Sequence, residues 1–175
     1  MFENLRPDLS RNLQDYGRVG FLRKLALCLT LNSIHALLLL RCQQWCAKHR
    51  LPTIVPAKLL FWFFKIEISK QANIGPGLRL PHPMGIIIAP NVTVGAECDF
   101  YADVRLVLSH GDPQGPRLGD HVFLGDGAKV LGNVTIGEWA EIGASAVVTK
   151  DIPAHAVAAG IPARVLKQKP PVKPA

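Results

Sequence analysis

Two side chains near the middle of the chain are of the types needed for proton transfer near neutral pH. His82 stands between Pro81 and Pro83, and Glu67 precedes it by fifteen residues. A neutral imidazole can accept the proton of a hydroxyl group, and the flanking prolines present it on a stiff segment. A carboxylate at the other ring nitrogen would fix the tautomer and stabilise the imidazolium that forms. We therefore interpret His82 as a candidate general base and Glu67 as the residue that orients it.

The elements that position this pair are indicated by a period of six residues. From residue 68 onward an aliphatic or aromatic residue recurs at every sixth position, with two interruptions, and glycine often follows it directly. This period fits neither a helix nor an isolated strand and is typical of a β-solenoid in which each unit forms one side. Three units would complete a triangular coil of about 18 residues, and coils would stack about 4.8 Å apart. The residues predicted to point inward are Ile68, Ile74, Leu80, Ile88, Val94, Phe100, Leu106, Leu118, Leu124, Val130, Ile136, Ile142 and Val148.

Two breaks in the period indicate loops that leave the solenoid. The first adds two residues around Pro81–Gly85, and the second inserts turn-forming residues over 109–116. Such loops leave the core undisturbed and often carry function. We predict a β-helix over residues 67–166, followed by a disordered, proline-rich tail over 167–175.

Residues 1–66 are predicted to form an α-helical cap that carries the whole net charge. Segment 21–49 lacks glycine and proline and is predicted as one helix, with a second helix from Ala57 to Phe64. The cap holds ten Lys and Arg against three acidic residues, whereas the charges of residues 67–175 balance. Because the cations are scattered among apolar stretches, nucleic acid is not indicated as a partner. Solvated charges and peripheral contact with an anionic membrane fit the cap equally well.

The sequence also predicts where the protein is found. It begins with no secretory signal, and its four cysteines form no metal-ligand pattern. The apolar run from Leu25 to Leu40 is shorter than the roughly 20 residues that span a bilayer. We therefore expect a cytoplasmic protein with reduced cysteines, either free or peripheral at the inner face of the membrane.

Several motifs resemble those of a known enzyme family. Repeats of the form Ile-Gly followed by four residues, and the ending Ala159-Gly160-Ile161-Pro162-Ala163-Arg164-Val165, resemble the hexapeptide-repeat acyltransferases. The stretch from Ile66 to Ile86 resembles their serine O-acetyltransferase branch, in which an acidic residue also lies fifteen positions before the catalytic histidine. Ser33–Leu37 with Arg41 resembles the helical cap of that branch. The resemblance implies a left-handed parallel β-helix, a homotrimer with sites between subunits, and acetyl-CoA as donor without a metal.

The resemblance also implies where the coenzyme lies. Small residues would let the pantetheine arm run against the backbone, and cations would face its phosphates. The positions that match are Asp126, Gly127, Ala144, Gly160, Pro162, Ala163, Arg164 and Lys167.

The acceptor side departs from the serine branch. Pro81 stands where an acidic residue is usual, and segment 109–116 lacks the usual glycine-rich run and the Arg-His pair that grips a carboxylate. His110, Arg117 and Asp15 are the remaining candidates for acceptor contacts. We therefore expect the acceptor to be a sugar hydroxyl of a surface-polysaccharide precursor, with serine O-acetylation, a step of cysteine biosynthesis, as the alternative.

Two other classes of function stay open at this point. A zinc hydratase on the same solenoid would need three converging histidines, for which His82, His110 and His121 are available. A scaffold without activity would not need the Glu67 and His82 pair.

Overall fold

The computed structural model describes residues 2–17 and 20–171. Four helices precede the strands: α1 (Phe2–Leu13), α2 (Phe21–Thr30), α3 (Asn32–Lys48) and α4 (Ile54–Phe64), with a 3₁₀ turn at Gln14–Tyr16 after α1. The predicted helical cap is present, but two of its details differ. Residues 2–13 form a helix despite Pro7, and the predicted 21–49 helix is divided at Leu31, whose extended backbone (ψ 118°) separates α2 from α3. No helix in the described ranges is long and apolar enough to span a membrane.

The strands wind into a β-solenoid of about five coils, as the six-residue period predicts. Each coil passes from sheet A to sheet B to sheet C, and strands of successive coils pair in parallel. Sheet A contains β1 (Glu67–Ile68), β3 (Ile87–Ile88), β6 (Arg105–Val107), β9 (Lys129–Leu131) and β12 (Val147–Val148). Sheet B contains β2 (Asn73–Ile74), β4 (Thr93–Val94), β7 (Arg117–Leu118) and β10 (Thr135–Ile136). Sheet C contains β5 (Asp99–Phe100), β8 (Phe123–Leu124), β11 (Glu141–Ile142), β13 (Ala156–Gly160) and the antiparallel β14 (Ala163–Gln168).

The core fills the inside of this triangular prism. All thirteen predicted inward residues are buried, none more than 8% exposed. A second buried line, which the period did not predict, lies two residues before the first. Its members are Ile66, Ala72, Leu78, Ile86, Val92, Cys98, Val104, Val122, Ala128, Val134, Ala140 and Ala146. Each side of a coil therefore contributes two side chains to the core rather than one.

The glycine that follows an inward residue is required by close backbone approach. A Cβ added at Gly75 would lie 2.6 Å from the carbonyl oxygen of Gly95 in the next coil, which is well inside contact distance. A left-handed backbone occurs two residues later, as at Glu97 (φ 55°) and His121 (φ 58°). The glycine permits coils to stack, and the residue two positions on makes the turn.

The cap closes the first coil by bonding to its unpaired backbone groups. The buried Arg41 guanidinium donates to the carbonyl oxygens of Ile74 (2.8 Å) and Gly75 (2.6 Å), and to both carboxylate oxygens of Asp8 (2.7 and 3.0 Å). Asp8 in turn accepts the N–H of Leu78 at 2.9 Å. Buried backbone groups left unbonded would be costly, so these contacts end the solenoid without an exposed strand edge.

At the other end, β14 folds back on β13 and runs to Gln168. The strand thus extends two residues into the segment predicted as a disordered tail. Backbone pairing explains the difference, because Gln168 pairs with Ala156 and the Lys169 N–H donates to the His155 carbonyl at 2.8 Å.

Candidate active site

His82 lies on a loop at the edge of the prism where the chain passes from sheet C to sheet A, which we call the C-to-A edge. Its backbone is held by its neighbours: the Gly85 N–H donates to the Phe64 carbonyl at 3.1 Å, and the Met84 carbonyl accepts the Asp103 N–H at 2.8 Å. Gly85 has φ +70°, and a side chain there would run into the Asp103 carboxylate. The imidazole itself is exposed. The loop therefore presents His82 outward from a fixed backbone.

Glu67 begins β1 near the same edge, three residues after Phe64. Its side chain is exposed and lines a cavity of about 720 Å³ between α4 and sheet A, together with Lys58 and Phe61. No ion pair within 4.0 Å joins Glu67 to His82 in the described part of the chain. The hydrogen bond from Gly85 to Phe64 brings their two segments together, but the orienting contact that we expected is absent from this single chain.

Tyr101 is a neighbour of His82 that the sequence analysis missed. The ring centroids of His82 and Tyr101 lie 5.8 Å apart at an interplanar angle of 64°, an edge-to-face contact. Tyr101 also packs on Phe123, with centroids 5.3 Å apart. Coil register would have revealed it, because Tyr101 follows the inward Phe100 just as Pro81 follows the inward Leu80.

The residues matched to the coenzyme lie along the C-to-A edge in later coils. Asp126 and Gly127 turn the chain there after β8, and the Asp126 carbonyl accepts the N–H of Ser145, beside Ala144, at 2.7 Å. The Asp126 carboxylate accepts the Ala102 N–H at 2.9 Å, so it supports the turn of the coil before. The edge is lined by small side chains from Gly127 to Gly160.

The end of the edge is formed by the β13–β14 hairpin. Ile161 and Pro162 make its turn, and Ala163, the first residue of β14, is buried. Arg164 pairs with Ala159 and Lys167 with Val157, and both cations are exposed. They stand at the end of the edge that is farthest from His82 along the solenoid.

The acceptor candidates are not brought to this edge within one chain. Arg117 lies on sheet B, the side opposite the C-to-A edge, and donates to the Asn133 side chain at 2.8 Å. His110 lies in the exposed loop between sheets A and B. The backbone of Asp15 lies in the 3₁₀ turn, and its side chain falls outside the described part of the structure.

The three histidines considered for zinc also stand apart. His82 is at the C-to-A edge, His110 between sheets A and B, and His121 between sheets B and C, where it stacks on Trp139 at 3.8 Å. Among the described residues no group of three or more His, Cys, Asp or Glu is placed to hold a metal ion.

Comparisons with known proteins connect this geometry to a family. Residues 115–150 match the family model "Bacterial transferase hexapeptide (six repeats)". The serine acetyltransferase of Synechococcus elongatus is 37% identical over 135 residues, which cover 75% of this chain and 55% of that protein. That of Mycobacterium tuberculosis is 40% identical over 108 residues, covering 61% and 47%. The solved structure of Neisseria gonorrhoeae serine acetyltransferase in complex with serine superposes with a TM-score of 0.82 at 27% identity, covering 93% of this chain and 67% of that one.

In sequence and in fold, the chain is similar to the hexapeptide-repeat serine acetyltransferases.

The chain spans only about half of the length of the serine acetyltransferases that it matches in sequence, between 41% and 55% of them. The 93% coverage in the structural comparison extends the likeness into the helical cap.

Proposed function

We propose that this chain is an acetyl-CoA-dependent O-acetyltransferase in which His82 is the general base. The observation that carries the proposal is the single edge shared by His82 and the coenzyme-matched turns at Gly127, Ala144 and Gly160. A thioester arm lying along that edge, against small side chains, would deliver its carbonyl to the His82 loop. Proximity and orientation of this kind supply much of the rate enhancement in bimolecular transfers.

The chemistry assigned to His82 balances over one cycle. Neutral His82 accepts the hydroxyl proton as the acceptor oxygen attacks the thioester carbonyl, and it returns that proton to the departing thiolate sulfur. An imidazolium forms in between, which a nearby carboxylate would stabilise. Glu67 is proposed for that role, with its carboxylate turned toward His82 once the site is complete.

We propose serine as the first acceptor. The relatives are serine acetyltransferases, and two solved relatives are described as complexes with serine and with cysteine. No comparison points to a sugar acceptor or to polysaccharide biosynthesis, so the family likeness outweighs the loop differences that favoured them. The predicted cytoplasmic location follows the same likeness.

The proposed assembly is a homotrimer with sites between subunits. Arg117 is the strongest candidate for holding the serine carboxylate, and it lies opposite the His82 edge of its own chain. A second chain must therefore present its sheet B to that edge if Arg117 is to reach the acceptor. His110 could approach from the same neighbour.

A sugar hydroxyl is the second candidate acceptor, and one observation favours it. The Tyr101 ring lies next to His82 and packs on Phe123, and the two rings form an aromatic surface of the kind that packs against the C–H face of a pyranose. Serine offers no comparable apolar face.

The test is release of free coenzyme A thiol from acetyl-CoA with L-serine as the sole acceptor. We expect turnover in the wild type and a loss of about 10²–10⁴-fold in His82→Ala. His49→Ala, which removes an exposed histidine of the cap, is the matched control and should keep full activity. A folded wild type that binds acetyl-CoA but shows only background release with serine would direct the search to sugars. Equal rates in His82→Ala and wild type would refute the catalytic assignment.

A further inference from the structure

Helix α4 exposes an unusual amount of apolar surface. Its buried stripe consists of only Pro56, Leu60 and Phe64. The remaining large side chains form what we call the α4 patch, and each is between 43% and 72% exposed. Its members are Ile54, Val55, Phe61, Trp62 and Phe63. A helix that is apolar on nearly all sides is normally buried, and a contiguous exposed patch of this kind marks a docking surface.

The apolar surface continues onto the neighbouring helices. A groove of about 490 Å³ runs between α3 and α4, lined by Leu38, Leu39, Leu59 and Phe63. Leu38 and Phe63 are both exposed along it. The α4 patch therefore borders a recess that could receive part of an inserted hydrocarbon chain.

Positive charge predominates around the patch, although Glu67 lines a cavity together with Lys58 and Phe61. Residues 16–66 contain eight Lys and Arg and no Asp or Glu. The Lys58 and Lys65 ammonium groups lie over the Phe61 ring, 5.9 and 5.2 Å from its centroid. Neither lysine makes an ion pair with a described carboxylate. The cations border the apolar patch and are available to an anionic partner.

The combination of apolar surface and lysines distinguishes between two possible partners of the α4 patch, a second copy of the chain and a lipid bilayer. A second copy of the chain meeting the patch about a two-fold axis would place Lys58 and Lys65 against their own like charges. Lysine is also depleted from the cores of protein interfaces. A bilayer with anionic lipids suits both features, because tryptophan and phenylalanine settle at the headgroup boundary and lysines reach the phosphates.

We propose that the α4 patch docks on an anionic phospholipid surface, with Trp62 and Phe63 inserted at the interface and Lys58 and Lys65 against lipid phosphates. The proposal does not depend on which acceptor the enzyme uses. It has a consequence for the site, because the Phe64 carbonyl at the end of α4 accepts the Gly85 N–H of the His82 loop. Docking would hold that loop close to the lipid headgroups.

The test is cosedimentation of the full chain with vesicles of phosphatidylcholine alone or mixed with phosphatidylglycerol. We expect binding to the mixed vesicles only, weakened by salt. The double variant Trp62→Ser/Phe63→Ser should abolish it, and Lys58→Glu should weaken it at least fivefold, since each basic residue contributes about that factor. Lys150→Glu, the same charge change on an exposed turn of the solenoid, should have no effect. Circular dichroism and thermal melting check that each variant is folded.

Three results would overturn the proposal. One is a folded wild type that fails to bind the anionic vesicles. Another is binding that survives in Trp62→Ser/Phe63→Ser, or that Lys150→Glu weakens as much as Lys58→Glu. The third is that the patch variants bind lipid as well as the wild type does but form a smaller assembly than the wild type in light scattering. That result would assign the α4 patch to contact between copies of the chain.

Discussion

At the scale of single residues, His82 is held by its loop and contacted by a ring. The backbone hydrogen bonds of Met84 and Gly85 fix the loop, whereas the imidazole makes an edge-to-face contact with the Tyr101 ring. An aromatic pair of this geometry is worth about 0.5–1.5 kcal/mol. Tyr101 thus restricts the orientation of the imidazole even where Glu67 does not reach it.

Replacing Tyr101 should separate positioning from packing. Tyr101→Phe keeps the ring and should change kcat/KM by less than about twofold, whereas Tyr101→Ala should lower it by roughly 2–13-fold through kcat. Steady-state kinetics over a pH series measure this, because a loosened imidazole also changes the pH profile. Wild-type kcat in Tyr101→Ala would show that the ring contact does not position His82.

Cys98 should be inert in the folded protein. It is fully buried between sheets B and C, and burial raises the pKa of its thiol to about 12. A thiol-specific colorimetric reagent at pH 8 should therefore leave Cys98 unmodified until denaturant is added. Because the folded protein binds this proton more tightly than the unfolded chain, the stabilisation is complete below the ordinary thiol pKa of about 8.5 and is lost as pH rises toward 12. Rapid labelling of Cys98 under native conditions, followed by mass spectrometry, would contradict the assignment.

At the scale of elements, the period of six predicts the solenoid, but it identifies only one of the two lines of buried side chains that form the core. The predicted inward line, which includes Ile74 and Ile136, has a large apolar side chain at every position, so the sequence pattern reveals it. Two residues earlier the side chain varies from Ala140 to Ile66, because coil stacking leaves different amounts of space there. A signal that depends on local space cannot be found from a repeating pattern alone.

The cap shows a second limit of sequence reasoning. Helix α1 is polar, and three of its polar residues, Asp8, Arg11 and Asn12, bind the first coil. Asn12 donates to the Leu78 carbonyl at 3.0 Å, and Arg11 donates to the Gly77 carbonyl at 2.7 Å. Their partners are backbone groups more than sixty residues away, and backbone groups leave no mark in the sequence.

The buried pair of Asp8 and Arg41 should be essential to this docking. Asp8→Ala leaves the Arg41 guanidinium buried without its carboxylate and should cost about 3–5 kcal/mol of the free energy of unfolding. Glu141→Ala is the control, because its ion pair with Lys169 (2.6 Å) is exposed and should cost less than about 1 kcal/mol. Denaturant titration followed by circular dichroism measures both. Equal losses in the two variants would mean that α1 is not held by the buried pair.

At the scale of the whole molecule, one prism cannot bring all of the candidate site together. His82 and the turns proposed to bind the coenzyme occupy one edge, and Arg117 lies on the opposite side. The sequence was enough to name the candidate residues, but it did not show on which side of the prism each of them lies. Placing them required the coil register.

Subunit mixing tests whether a neighbouring chain completes the site. His82→Ala and Arg117→Ala should each lose most of their activity with serine, the second mainly through a raised KM. Co-expressed, they should assemble some sites that contain an intact His82 from one chain and an intact Arg117 from the next, and activity should partly return. Activity no higher than the sum of the separate variants would place both residues in the same chain's site or remove Arg117 from it.

The contacts that close the first coil affect the order in which the elements can fold during synthesis. Neighbouring strands of the solenoid are about one coil apart in the chain, as Glu67 and Ile87 are, whereas Asp8 reaches Leu78 across seventy residues. During synthesis, α1 leaves the ribosome long before the backbone groups that it binds have been made. Helix α1 therefore cannot dock until the first coil has formed, and until then the backbone groups at that end of the solenoid stay open to other chains.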